Sequence, residues 1–243
     1  MGKLIKIFGE RNTNTNYLSQ LIELNLSCEE LRGGAPIWIL RAQNKLSINE
    51  TLEDLYFGLF YFRNYGWKHR AIEEGFVPKK GINFVTITKN PYSWLLSLYR
   101  NPYNKGAVDA VSFEEFLTSP WVTFDREGCE KLVKNPIELW NVKNNSYKNL
   151  PQDQILRITT EGLFEDPEKI IKDIATHFNI PFKNELFQNY ERSTKDKSKD
   201  SAYYKDFYLN ERWREKLTPI EISIINEFVD RSLMEFFGYQ VIV

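Results

Sequence analysis

The chain has 243 residues, 42% hydrophobic and 27% charged, with a formal net charge of −1; this length suits one α/β domain, and the charge gives no global basic field for nucleic acid, so any anion site is local. Two histidines, His69 and His177, exclude a multi-histidine metal site, and Cys28 and Cys129 show neither metal spacing nor a disulfide framework, which reads as two reduced thiols. No stretch approaches the roughly 20 apolar residues of a membrane helix, and Met1 runs into the first strand without a leader, so the expectation is a soluble cytoplasmic protein with no membrane partner.

Lys3-Leu4-Ile5-Lys6-Ile7-Phe8 alternates and predicts a β-strand, and Tyr17, Leu18, Leu21 and Ile22 share one face of a following helix. Gly33-Gly34-Ala35-Pro36 predicts a turn, Ile37-Trp38-Ile39-Leu40 a short buried strand, and residues 50–62 a helix. Residues 81–88 are alternating and β-branched, hence a strand, and Pro91 opens a helix through Trp94, Leu95, Leu98 and Tyr99. Residues 103–150 read as irregular, with a capping box at Ser112 and Glu115 and a helix from Ile137 to Tyr147. Residues 154–158 predict a strand, and Asp166-Pro167-Glu168 caps a helix to Phe178. The run 192–200 predicts a surface loop. A last helix starts at Thr218-Pro219-Ile220-Glu221, turns Ile222, Ile225, Phe228, Val229, Leu233 and Phe236 inward, and ends at Gly238. Strands alternating with helices predict an α/β fold: a central parallel β-sheet flanked by helices on both faces, with ligands beyond the carboxyl ends of its strands.

Two strand ends carry chemistry. After the first, Arg11-Asn12-Thr13-Asn14-Thr15-Asn16 offers a cation, two hydroxyls and backbone N–H groups at a helix N-terminus, where donors and dipole both favour an anion. It lacks the Gly-Lys-Ser/Thr ending of a Walker A loop, and Asn14, a residue that tolerates left-handed backbone, stands where glycine is expected. After the 81–88 strand comes Lys89, with Ser97 eight residues on, a spacing that lets both share a helix face and grip one phosphate. Between them lies Trp67-Lys68-His69.

This ordered set resembles the sulfotransferase superfamily that uses 3′-phosphoadenosine-5′-phosphosulfate (PAPS). The family's Pro-Lys-Ser-Gly-Thr-Thr-Trp loop is matched by residues 11–17, its Lys-x-His segment by Lys68-His69 with the intervening residue missing, and its Arg-x-Pro with a later Ser by Lys89, Pro91 and Ser97. Its Tyr-Glu-Asp-Leu and Asp-Pro are matched by Thr160-Glu161-Gly162-Leu163 and Asp166-Pro167. In this chain the family lysine falls at Asn12, with Arg11 one residue early, and Lys89 replaces an arginine. The resemblance implies a single sulfotransferase-like domain over 1–243, a three-layer sandwich of the P-loop NTPase type, with a nucleotide-binding core over about 3–180 and a helical part over about 181–243. It implies a transferase enzyme moving the sulfuryl group of PAPS to an acceptor hydroxyl by in-line displacement, releasing 3′,5′-ADP and needing no metal. It gives residues 11–16 to the 5′-phosphosulfate, Lys89 and Ser97 to the 3′-phosphate, His69 to proton removal, and Lys68 and Arg11 to the sulfuryl oxygens. The Lys195-Lys197-Lys199 run stands where a basic family loop closes over the nucleotide. Acceptor choice falls to segments around 36–66, 103–150 and 200–215, whose aromatic rings suit a carbohydrate or other small-molecule acceptor. The alternatives are a small-molecule kinase on the same architecture and a non-catalytic phosphonucleotide- or carbohydrate-binding module.

Overall fold

The computed structural model describes residues 3–46, 51–103, 112–190 and 201–243. Four parallel strands form the main sheet: β1 (Lys3–Phe8), β2 (Cys28–Glu30), β3 (Ile82–Thr88) and β6 (Ile155–Thr159). Their order is β2-β1-β3-β6, with Phe8 opposite Thr86 and Thr88 opposite Thr159. The chain moves to one side of β1 for β2 and to the other for β3. The β1 and β3 ends are therefore the switch point, where connections diverge and a crevice opens. Three-residue β2 was not legible as a strand beforehand.

Both faces of the sheet are covered. Ile5, Ile7, Val85, Ile87 and Ile158 pack on one side against α1 (Thr15–Asn25) and α8 (Pro167–Phe178). On the other, Phe8, Phe84 and Ile155 meet Tyr65, Ile72 and Tyr147. Because neither face is wet, the alternation in β1 buries Lys6 completely, and its Nζ donates to the Gly66 carbonyl at 2.8 Å. Burial lowers the Lys6 pKa to about 7, against a smaller opposing pull from Glu30.

A helical lobe leans on this core. It comprises α4 (Pro91–Arg100), α5 (Phe113–Thr118), α6 (Pro136–Ser146), α10 (Pro219–Phe228) and α11 (Arg231–Phe236), joined by the hairpin β4 (Trp121–Val122) and β5 (Leu132–Val133). Trp94, Trp121, Trp140 and Trp213 fill its centre, which accounts for much of the aromatic content. α7 (Thr160–Glu165) and α9 (Ser201–Leu209) pack together beside the sheet.

Several expectations hold in position. Pro91 opens α4, Ser112 Oγ accepts from the Glu115 N–H, Asp166 caps α8, and Thr218 and Glu221 form a reciprocal capping box. Two do not. Residues 37–40 are not a strand but the first turn of α2 (Ile37–Leu46), with Ile37 64% and Trp38 65% exposed. A four-residue apolar run has no period of its own, and the helix formers after it, with Pro36 ahead, decide the matter. The last helix is two: Asp230 breaks it and caps α11, which turns Phe236 outward at 49% exposure. Helix α3 (Thr51–Asn64) agrees with expectation. The 192–200 run, with Lys195, Lys197 and Lys199, lies outside the described residues. Among those residues no helix is long and apolar enough to cross a membrane.

Candidate active site at the β1 and β3 strand ends

The loop leaving β1 is shaped by three small residues. A Cβ at Gly9 would stand 2.6 Å from the Ile87 carbonyl oxygen, so only glycine lets the loop lie against β3. Asn12 and Asn14 both hold positive φ, 66° and 64°, and Asn14 is the N-cap of α1. Asparagine reaches this left-handed region more readily than other side chains. The Asn14 position therefore behaves as its glycine-like place in the sequence implies; the second turn at Asn12 was not foreseen. Thr13 faces inward, its hydroxyl donating to the Glu10 carbonyl at 2.6 Å and its N–H to the same oxygen at 3.3 Å. The Thr13 carbonyl in turn accepts from the Thr160 hydroxyl at 3.0 Å. Thr15 is buried at the start of α1. The buried Nδ2 of Asn14 has no hydrogen-bond partner among the described residues. A buried, unsatisfied donor costs about 1–3 kcal/mol, so this one marks a place for an acceptor.

Arg11 is held by rings. Its guanidinium lies 4.5 Å from the Tyr103 ring centroid and 5.5 Å from that of Trp67, and among the described residues it makes no salt bridge. Its carbonyl accepts from Trp94 Nε1 at 2.7 Å.

The segment carrying Lys68 and His69 runs along this loop. The Gly9 N–H donates to the Lys68 carbonyl at 3.0 Å, and Lys68 Nζ donates to Asn16 Oδ1. His69 Nδ1 donates to the Gly9 carbonyl at 2.6 Å, which places the proton on Nδ1 and leaves the Nε2 lone pair as acceptor. His69 is 9% exposed. Burial holds its pKa well below the ordinary 6.5, and the charges of Lys68, Arg11 and Lys143 push the same way. A neutral imidazole with a free lone pair can accept a proton at neutral pH.

Beneath this lies a cluster the sequence did not reveal. Lys143 Nζ, fully enclosed, lies 2.8 Å from Glu127 Oε2 and 3.3 Å from Glu10 Oε2, and also donates to the His69 carbonyl. Glu10 belongs to the loop itself, and its carboxyl is raised by burial, against the pull of Lys143. Glu127 accepts from the Tyr103 hydroxyl at 2.9 Å. One ammonium thus fastens the loop, the histidine segment and the ring that carries Arg11. Nothing in local spacing marks residues 10, 127 and 143 as partners; only the fold joins them.

At the end of β3, Asn90 caps α4 with Pro91 in its first turn. The geometry brings Lys89 and Ser97 together as their spacing implies: Lys89 Nζ donates to Ser97 Oγ at 2.8 Å. It also donates to the Tyr208 hydroxyl of α9 at 3.0 Å, beneath whose ring it lies 4.5 Å from the centroid. Lys89 is 0% exposed and, among the described residues, has no ion pair. Tyr208 heads an aromatic stack with Phe164 and Tyr204, and Phe164 stacks on Tyr17 at the start of α1. Glu161 supports the turn: one carboxylate oxygen accepts from the Asn90 N–H at 3.1 Å, the other from the Tyr239 hydroxyl at 2.8 Å. Helix α4 links the two strand ends, since Ser97 touches Lys89 while Trp94 holds the Arg11 carbonyl. Among the described residues no group of three or more His, Cys, Asp or Glu is arranged to hold a metal.

No protein-family model and no curated protein matches the chain. Among solved structures it is similar to the sulfotransferase domain from the curacin biosynthetic pathway, at 13% identity and a TM-score of 0.45, covering 99% of both chains. It is likewise similar to the sulfotransferase domain from the Synechococcus PCC 7002 olefin synthase, at 13% identity and a TM-score of 0.48, covering 99% of this chain and 95% of that one.

Proposed function

We propose that the protein is a sulfotransferase that uses PAPS and an acceptor hydroxyl and needs no metal. The observation that carries this reading is Lys89. Its enclosed ammonium makes no ion pair among the described residues: Nζ donates to the neutral oxygens of Ser97 and Tyr208, and Glu161 acts on it only from beyond ion-pair distance, an arrangement that an anionic ligand would complete. The Asn14 amide, unsatisfied in the loop after the neighbouring strand, supports a second anion position on the same molecule. When bound, PAPS supplies a sulfuryl group attached to a stable leaving phosphate. Arg11, the Asn14 amide and the N–H groups opening α1 hold its 5′ end, and Lys89 and Ser97 hold its 3′-phosphate. Asn12 and Thr13 shape the loop, while Thr15 and Asn16 begin the helix beneath it. Lys68, tied to Asn16, adds positive charge beside the sulfuryl oxygens. His69 takes the proton of the acceptor hydroxyl on Nε2 while the Gly9 carbonyl keeps its ring oriented. Catalysis in this design is placement plus preorganised positive charge.

The test has two parts. The protein is expected to bind 3′,5′-ADP more tightly than ATP without magnesium, and to transfer label from PAPS to at least one member of a panel of sugars and alcohols. ATP binding equally well, or no transfer to any acceptor, overturns the reading. Magnesium-dependent phosphoryl transfer from ATP would favour the kinase instead.

A further inference from the structure

Helices α2 and α3 pack on each other: Gln43 donates to the Glu53 carboxylate and accepts from the Glu53 N–H, both at 3.2 Å. Their inner sides bury Ile39, Gln43 and Phe57. Their outer sides expose Ile37, Trp38 and Leu40 on α2, and Leu55, Leu59 and Phe62 on α3, the last three at 56%, 59% and 60%. Leu55, Leu59 and Phe62 recur at i, i+4 and i+7, which makes one stripe along α3, facing away from Phe57. Trp38, Arg41 and Lys45 make a similar stripe on α2. Single exposed apolar residues are normal on a protein surface, but apolar stripes on two packed helices mark an interaction face.

The charges on this face have one sign. Arg41, Lys45 and Arg63 are exposed, and none of them makes an ion pair among the described residues. Arg63 lies 5.3 Å and 5.9 Å from the Phe60 and Phe62 ring centroids. Helix α2 carries no acid, and the two acids of α3, Glu53 and Asp54, turn inward to buried Arg126. The whole chain has a net charge of −1, so this excess is local. It selects the occupant. A second copy would bring the same cations against these, and like charges oppose that pairing. An anionic bilayer matches both features: its headgroups supply the missing negative charge, and its acyl boundary receives the apolar side chains between them. Lys and Arg stems can lie along apolar neighbours while their charges reach the headgroups, and an exposed tryptophan favours that depth. Among the described residues no helix is long and apolar enough to cross a membrane, so the contact is peripheral.

We propose that the outer face of α2 and α3 docks reversibly on an anionic lipid surface, with Arg41, Lys45 and Arg63 on the headgroups and Trp38, Leu55, Leu59 and Phe62 entering the acyl boundary. This inference stands apart from the transferase reading and does not need it. Trp38 makes the test specific, because the other five tryptophans are at most 5% exposed and a change in emission on binding lipid reports Trp38. The wild-type chain is expected to sediment with sucrose-loaded phosphatidylcholine vesicles carrying about 30% phosphatidylglycerol, with blue-shifted emission, and to bind phosphatidylcholine alone about tenfold more weakly. Added salt should weaken the binding. Leu59→Asp, and separately Arg41→Glu with Lys45→Glu, should each lower the affinity about tenfold at unchanged melting temperature, since these side chains face solvent already. Trp38→Phe should keep most of the sedimentation and lose the emission shift. No binding to the anionic vesicles, equal binding to both compositions, an affinity unmoved by either charge-changing variant, or an emission shift that survives in Trp38→Phe overturns the proposal. A concentration-dependent dimer that Leu59→Asp abolishes also overturns it, and gives the face to a second copy.

Discussion

At His69 one hydrogen bond, from Nδ1 to the Gly9 carbonyl, fixes which ring nitrogen remains basic, and the proposed role as base falls to Nε2. His69→Ala is therefore expected to lower sulfuryl transfer by at least 10²-fold while 3′,5′-ADP affinity stays within about threefold; turnover near wild type in that variant rejects the assignment. The pH dependence follows from the lowered pKa. On the proposed reading the neutral form accepts the proton, so the acidic limb of kcat/KM, which reports the free protein, should fall below pH 6.5, and a midpoint above 6.5 contradicts the environment described. Stability moves the same way: the unfolded chain takes the proton first as pH falls past 6.5, so this residue destabilises the fold progressively below that point. Lys143 is a positioning residue. Lys143→Met leaves two enclosed carboxylates without their cation, at a cost of about 3–5 kcal/mol, and adding Glu127→Gln should restore part of the lost melting temperature. Losses that simply add in the double variant would mean that the two side chains are not coupled. The Lys89–Ser97 contact was legible because a short spacing into one helix announces it. Lys143, Glu127 and Tyr208 were not, since each meets the site from an element remote in sequence and makes a contact only tertiary structure defines.

Element boundaries follow capping chemistry more faithfully than apolar runs. The α4, α5, α8 and α10 starts were readable from Asn90-Pro91, Ser112, Asp166-Pro167 and Thr218-Pro219, where side chains satisfy the first free N–H groups. The same rule, applied at Asp230, would have divided the last helix, because its carboxylate accepts from the Leu233 N–H at 3.0 Å. Asp230→Ala is expected to cost about 1 kcal/mol, seen as a lower denaturant midpoint with an unchanged slope; a changed slope would point to loss of the whole lobe. Residues 37–40 went the other way: apolar content suggested a strand, and helix α2 leaves Ile37 and Trp38 outside. Helix α9 matters for the site through one residue. Tyr208→Phe removes an acceptor from Lys89 but keeps the ring above it, so 3′,5′-ADP should bind more tightly, by up to about tenfold. Weaker binding would instead make the hydroxyl a direct ligand of the nucleotide.

For the molecule as a whole, the parallel sheet was readable from the alternation of strands and helices, but the switch point between β1 and β3 was not, because it depends on the side of β1 on which three-residue β2 pairs. The helical lobe was not, because its core joins side chains from 92 to 234 around four tryptophans, and no periodicity within one segment reports such a meeting. Burial on both sheet faces also has a measurable cost at Lys6. Between its folded pKa of about 7 and the ordinary 10.5 the unfolded chain binds the additional proton, so stability climbs with pH across that window. Lys6→Met should raise the melting temperature at pH 7 and flatten the climb; an undiminished climb in that variant would locate the proton uptake elsewhere.

The enclosure of Lys89 by Tyr208 bears on kinetics. A cation with no exposed surface cannot be met by a ligand arriving from solution, so if Lys89 holds the 3′-phosphate as proposed, the Tyr208 side of its enclosure is expected to yield first. The observed association rate of 3′,5′-ADP should then level off at high concentration, at the frequency of that uncovering, whereas inorganic sulfate competing for the Arg11 loop alone should show no plateau.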